Sequence, residues 1–140
     1  VRVTNRKVTL KNMIITRKNA DWDAVSSTDA ELRLENVVLA SERGYALSVY
    51  RGSLVATGSV ACRGTGVLLS DLESVRMEDC SIYHMHGSGV YLSAGTANGT
   101  VLFRNCTIAE NFQSRYEYAA GALRLTGTFA SRADRPLFDC

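Results

Sequence analysis

The chain has one proline, no CxxC pair, almost no net charge and no long apolar run. Each shortage excludes something. A lone proline beside eleven glycines argues against a disordered or linker-like chain and fits tightly turned strands. No apolar stretch approaches the ~20 residues that a helix needs to cross a bilayer. No basic start runs into a hydrophobic segment, so no signal peptide is visible. Sixteen basic against fourteen acidic residues leave +2, which gives no electrostatic case for nucleic acid or an anionic membrane as partner. The four cysteines, Cys62, Cys80, Cys106 and Cys140, lack the spacing of zinc ribbons or redox motifs. What is present is 140 residues, 46% of them apolar, enough for one core. The first residue is Val1 rather than Met, as expected of a processed chain or an excised segment.

The positive signal is repetition. One phrase, apolar residues alternating up to an Asn, Asp or Gly and then resuming one step out of phase, recurs along the chain. It appears as Val8 to Ile15, Leu32 to Leu39, Leu54 to Ala61, Val75 to Ile82 and Val101 to Ile108, and Leu137 to Cys140 opens a sixth copy. Positions 12, 36, 58, 79, 105 and 139 are thus turns, spaced by 24, 22, 21, 26 and 34 residues. A period near 22 residues with short strands in each copy indicates a β-solenoid. A third strand completes each coil: Ala24 to Ser26, Ala46 to Val49, Val67 to Leu69, Val90 to Leu92 and Ala122 to Leu125. Gly44, Gly66, Gly89 and Gly121 fall at or before these strands, where the backbone turns. In the last copy Leu123 faces inward in preference to Arg124, because burying a guanidinium is costly. Stacked hairpins would need a two-residue turn between neighbours, and Asn98-Gly99 alone cannot organise five copies.

The steps Asn105-Cys106-Thr107-Ile108 and Asp79-Cys80-Ser81-Ile82, followed by a loop and Gly89-Val90-Tyr91-Leu92, resemble the right-handed parallel β-helix repeats of the pectate-lyase-like superfamily, closest to its carbohydrate-binding and sugar-hydrolase type repeats. The resemblance covers about Val8 to Cys140. It implies an all-β, right-handed parallel β-helix (β-solenoid) of about five coils of 21–34 residues, forming one segment over 1–140, with the rest of a longer solenoid as the parent chain.

In such a stack Asn12, Asn36, Asp79, Asn105 and Asp139 form a ladder at a one-residue turn, where a short polar side chain tolerates left-handed backbone and bonds neighbouring amides. That cause accounts for their recurrence without catalysis. Gly58 keeps the turn but loses the bonds, so the third coil is expected to be the least firmly registered. Cys80, Cys106 and Cys140 occupy the inward slot of Met13, Val37 and Ser59 and act there as small hydrophobes, with a disulfide between neighbouring coils sterically open. Unpaired stacked cysteines and the lack of a signal peptide favour the cytoplasm, while the sequon Asn98-Gly99-Thr100 points to secretion.

In the enzymes of that superfamily, substrate lies on the outer face of the strand that begins each coil, beneath the preceding loops. Transferred by pattern, the resemblance implies a ligand- or partner-binding face of Trp22, Asp23, Glu42, Arg43, Tyr45, Tyr83, His84, His86, Tyr91, Glu110, Arg115 and Tyr116. Aromatic faces with hydrogen-bonding groups suit a glycan and equally a protein. Two-carboxylate hydrolysis needs acids ~5–9 Å apart, and no local motif ties two of Asp23, Glu42 and Glu110 together. The Asp-Asp and Gly-His-Gly steps of polygalacturonase-like enzymes are absent, as is an acidic calcium cluster. His84-Met85-His86 offers two imidazoles but no evident further ligands, so no metal or cofactor is expected. The expectation is a non-catalytic recognition or scaffold module for a protein or glycan. The alternative is a polysaccharide lyase, hydrolase or epimerase with part of its site on other coils.

Overall fold

The computed structural model describes residues 1–18, 21–94, 100–111, 122–127 and 137–139. Its strands in chain order are β1 (Arg2–Thr4), β2 (Lys7–Arg17), β3 (Val25–Ser41), β4 (Leu47–Thr57), β5 (Val60–Cys62), β6 (Val67–Glu78), β7 (Ser81–Tyr83), β8 (Val90–Ala94), β9 (Thr100–Arg104), β10 (Thr107–Ala109), β11 (Leu123–Gly127) and β12 (Leu137–Asp139). Every pairing among them is parallel. Parallel partners, with no helix among the described residues, mean that the chain winds. Arg2, Ser26, Ser48, Leu68, Tyr91 and Arg124 are successive partners, each one turn of the winding from the next. The fold is therefore an all-β parallel solenoid of four to five turns, close to the five coils expected.

Three sheets run along it. The first contains β1, the starts of β3, β4 and β6, then β8 and β11. The second contains the start of β2, the middle of β3, the ends of β4 and β6, then β9 and β12. The third contains the ends of β2 and β3, then β5, β7 and β10. Period-2 alternation sends one residue in two inward. Leu47 and Val49 from the first sheet, Leu54 and Phe103 from the second, and Val37 and Ile82 from the third meet in a core they fill almost without solvent contact. Each such large side chain contributes about 1.5–3 kcal/mol by leaving water. Leu123 packs against this core and Arg124 takes the outward position, as the alternation requires.

The predicted ladder is present. Asn12, Asn36, Asp79 and Asn105 have φ of 50–53°, and Gly58 has 56°. Asn36 Nδ2 donates to Asn12 Oδ1 at 3.0 Å, and Asn105 Nδ2 donates to Asp79 Oδ1 at 2.6 Å. The turn at Gly58 itself stays in register, with Ser59 Oγ accepting from Val37 N and donating to the Thr57 carbonyl. The same coil does carry an irregularity, as expected of the third, at Gly52/Ser53, where Glu73 is an extra residue opposite them, a β-bulge. One expectation about the ladder needs correction. Asp139 does not extend the ladder: it pairs with Arg104, one position short of Asn105, which places Phe138 over Phe103. Cys140 and the sequon residues 98 and 99 lie outside the described residues.

The inward slot after the ladder holds Val37, Ser59, Cys80 and Cys106, all buried, whereas Met13 at the first coil is exposed. Cys62, Cys80 and Cys106 are free thiols. Cys80 and Cys106 donate to the Glu78 and Arg104 carbonyls at 3.2 and 3.3 Å. Hydrogen bonding with Cys106, together with burial, pushes the Cys80 thiol up, so that side chain is inert packing at neutral pH.

Two glycines are set by close approach. A Cβ on Gly66, whose φ is 142°, would sit 2.1 Å from the Ser88 carbonyl oxygen, and one on Gly44 would meet the Trp22 carbonyl carbon at 2.4 Å. The loops that enter the first sheet are thereby stacked directly on one another, which fixes what they carry.

Candidate recognition face

One outward row of the first sheet is built from the first residue of β1 and the second residue of each later strand. Partner by partner it reads Arg2, Ser26, Ser48, Leu68, Tyr91, Arg124. The loop residues Trp22, Asp23 and Tyr45 lie just ahead of these strands. Asp23 is the organising group: one carboxylate oxygen accepts from Tyr45 N at 2.9 Å, and the other accepts from the Ser48 hydroxyl. Both oxygens are thus engaged. Arg124 places its guanidinium 5.0 Å from the centre of the Tyr91 ring, a cation–π contact. Leu68, outward by register, is only 6% exposed, so its neighbours close over it.

Electrostatics keep the phenols of this face neutral. Burial raises the Tyr45 phenol above its ordinary value of 10.0, with Asp23 and Tyr91 adding to the shift and Arg124 opposing it. The Tyr50 phenol is raised by burial, Tyr45 and Asp23. Both hydroxyls therefore stay protonated across the physiological range, able to donate and to accept. At one end of the strip a cleft of about 510 Å³ is lined by Val1, Arg2, Arg17, Trp22, Asp23 and Ser26. Trp22 is 67% exposed there, an aromatic platform open to a ligand rather than a cap on the core.

A family model described as the right handed beta helix region matches residues 1–129. The chain belongs to the right-handed β-helix family. No curated protein and no solved structure gives a significant match. In this β-helix, the predicted face is brought together only in part. Trp22, Asp23, Tyr45 and Tyr91 share the strip. Glu42 and Arg43 are exposed loop residues of the next coil; Arg43 Nη1 lies 3.7 Å from Asp21 Oδ1. Tyr83, His84 and Glu110 form a separate group at the corner that leaves the third sheet. There His84 Nε2 meets Glu110 Oε2 at 2.5 Å, and the Tyr83 and His84 rings contact edge-on at 5.0 Å. His84 and His86 are exposed on either side of a fully buried Met85. Asn111 ties this loop to the next coil by accepting from Met85 N at 3.1 Å. Arg115 and Tyr116 lie outside the described residues.

Residues that sequence reasoning missed include Ser48, Leu68 and Tyr50, with Arg2 and Ser26 around the cleft; Arg124 was expected to point outward but was not counted as part of the face. The signal was available, since once Leu123 is inward, every second position of the first strands must be outward. A further pattern is equally hidden in the sequence. Asn5, Asp29, Arg51 and Asp71 form a second stack of left-handed residues with φ of 45–55°, at the corner between the first and second sheets. Three of them stand seven residues before a ladder position, and Asp71 stands eight before because of the bulge. Arg63, His84 and Glu110 make a third such stack.

Proposed function

We propose that this β-helix is a non-catalytic recognition module that binds a protein or glycan across the outer face of its first sheet. The observation that carries the reading is the continuous strip from Trp22 and Asp23 through Tyr45 and Tyr91 to Arg124. It offers aromatic faces, protonated phenols and a guanidinium, and its one central carboxylate is already committed to Tyr45 N and Ser48. Such a surface stacks and hydrogen-bonds, but holds no free base beside a second acid. Glu110 is more than three strand spacings from Asp23 along the solenoid, roughly 14 Å, too far for a two-carboxylate glycosidase pair. This disfavours the alternative of a glycoside hydrolase using these acids.

The test is binding of the chain to a glycan array at millimolar sugar and, in parallel, to protein partners recovered by pull-down and confirmed with purified components. Trp22→Ala and Tyr91→Ala should each weaken whichever interaction is found, with the thermal melt nearly unchanged. Binding that survives both substitutions, or turnover of a polysaccharide, would refute the reading.

A further inference from the structure

A second concavity, of about 380 Å³, lies away from the strip, at the corner between the first and second sheets. Its floor is Ala30 and Gly52. Gly52 has φ of 129°, and a Cβ there would meet the Ala30 carbonyl oxygen at 2.2 Å, so the floor can carry no larger residue. On one side Lys7 and Glu31 are ion-paired at 2.6 Å; on the other, Arg51 and Asp29 form two bonds of 2.7 Å. Those four charges cancel across the walls. The two ends differ. Arg6, from the first coil, and Glu73, from the fourth, also line the trough, and among the described residues neither has an ion-pair partner.

Glu73 is there for a backbone reason. It is the extra residue of the β-bulge opposite Gly52/Ser53, and a bulge re-aims a side chain that a regular strand would place elsewhere. The bulge thereby sets a carboxylate at one end of a trough whose other end holds a guanidinium, each without an ion-pair partner among the described residues. The coils of Arg6 and Glu73 are three strand spacings apart, about 14 Å.

The geometry points to a binding site for a short zwitterion, of the class of a peptide with free ends, lying along the trough with its carboxylate on Arg6 and its ammonium on Glu73. An extended tetrapeptide spans about 14 Å, which matches that separation. The middle of the ligand would cross Ala30 and Gly52, where no side chain larger than a methyl group stands. This site is independent of the outer face of the first sheet.

The test is an amide NMR titration of the chain with tetraglycine bearing free termini, beside N-acetyl-tetraglycine amide as the uncharged control. Saturable shifts are expected at Ala30, Gly52 and Glu73 with the free peptide, and much weaker ones with the blocked peptide. E73Q and R6Q should each weaken binding about fivefold, the size of one exposed charge pair, and added salt should do the same. Equal binding of the blocked peptide, shifts elsewhere, or no saturation by the free peptide would overturn the assignment. The comparison of the two peptides on the unaltered chain does not depend on how the variants fold.

Discussion

Two corners of each coil use the same left-handed backbone and fill it with different chemistry. At the corner between the second and third sheets, Asn12, Asn36, Gly58, Asp79 and Asn105 keep a regular register, with side-chain bonds passing between coils. At the corner between the first and second sheets, Asn5, Asp29, Arg51 and Asp71 hold the same φ but include an arginine and precede a bulge. Amides and short acids suit left-handed backbone on their own account. Arg51 does not, and is held by its paired bonds to Asp29. The first corner therefore fixes the stacking of the coils, and the second tolerates the irregularity that opens the trough.

The largest expected effect separates the two corners at their glycines. Gly52→Ala should destabilise by about 3 kcal/mol or more in a urea melt, because the new Cβ is driven into the Ala30 carbonyl. A loss under about 1 kcal/mol would show that this corner yields as easily as open backbone. Next, Asn36→Ala removes both a residue that tolerates left-handed backbone and the bond to Asn12, and should cost about 1–2 kcal/mol. No measurable loss would mean that the ladder decorates a register set by the core.

A smaller effect belongs to the acid-arginine corner. The hydrogen bonds from Arg51 hold the Asp29 carboxyl below its ordinary value of 3.8. Folding is therefore favoured by ionised Asp29 above that value, and the contribution fades as pH falls through the lower folded value. A double-mutant cycle of Arg51→Ala and Asp29→Ala should show a small favourable coupling at pH 7 that shrinks below pH 3.8 and in high salt. A coupling independent of pH would show that the pair packs rather than attracts. The smallest effect lies between the corners. Ser27 is fully buried in the first sheet, and its hydroxyl has no partner among the described residues. Ser27→Ala should leave stability unchanged or raise it by up to about 1 kcal/mol, as read from the melt.

The architecture was legible because left-handed backbone advertises itself through Asn and Asp, and the 22-residue period repeats that advertisement. The second corner obeys the same rule, but Arg51 interrupts its composition and the bulge at Glu73 breaks its spacing. Asp139 misled for the converse reason: it looks like a ladder residue, yet its backbone partner is Arg104, one step short of Asn105. On the outer face of the first sheet, Asp23, Tyr45 and Tyr91 were legible as loop and outward-strand residues. Their neighbours Ser48, Leu68 and Arg124 follow only when each strand is laid on its partner 20 or more residues away. The His84–Glu110 pair likewise joins residues 26 apart, a distance that only coil stacking closes.

A side-chain ladder at one corner ties coils to one another, Asn36 to Asn12 and Asn105 to Asp79. Gly58 is its single gap, with left-handed φ and open space, nothing lying within 4 Å of where a Cβ would stand. The direct test compares thermal unfolding of Gly58→Asn and Gly58→Ala with the parent chain. Gly58→Asn should raise the midpoint by completing the ladder between Asn36 and Asp79, while Gly58→Ala, at a cost of about 1 kcal/mol of backbone strain, should lower it. Equal losses in both variants would contradict the account.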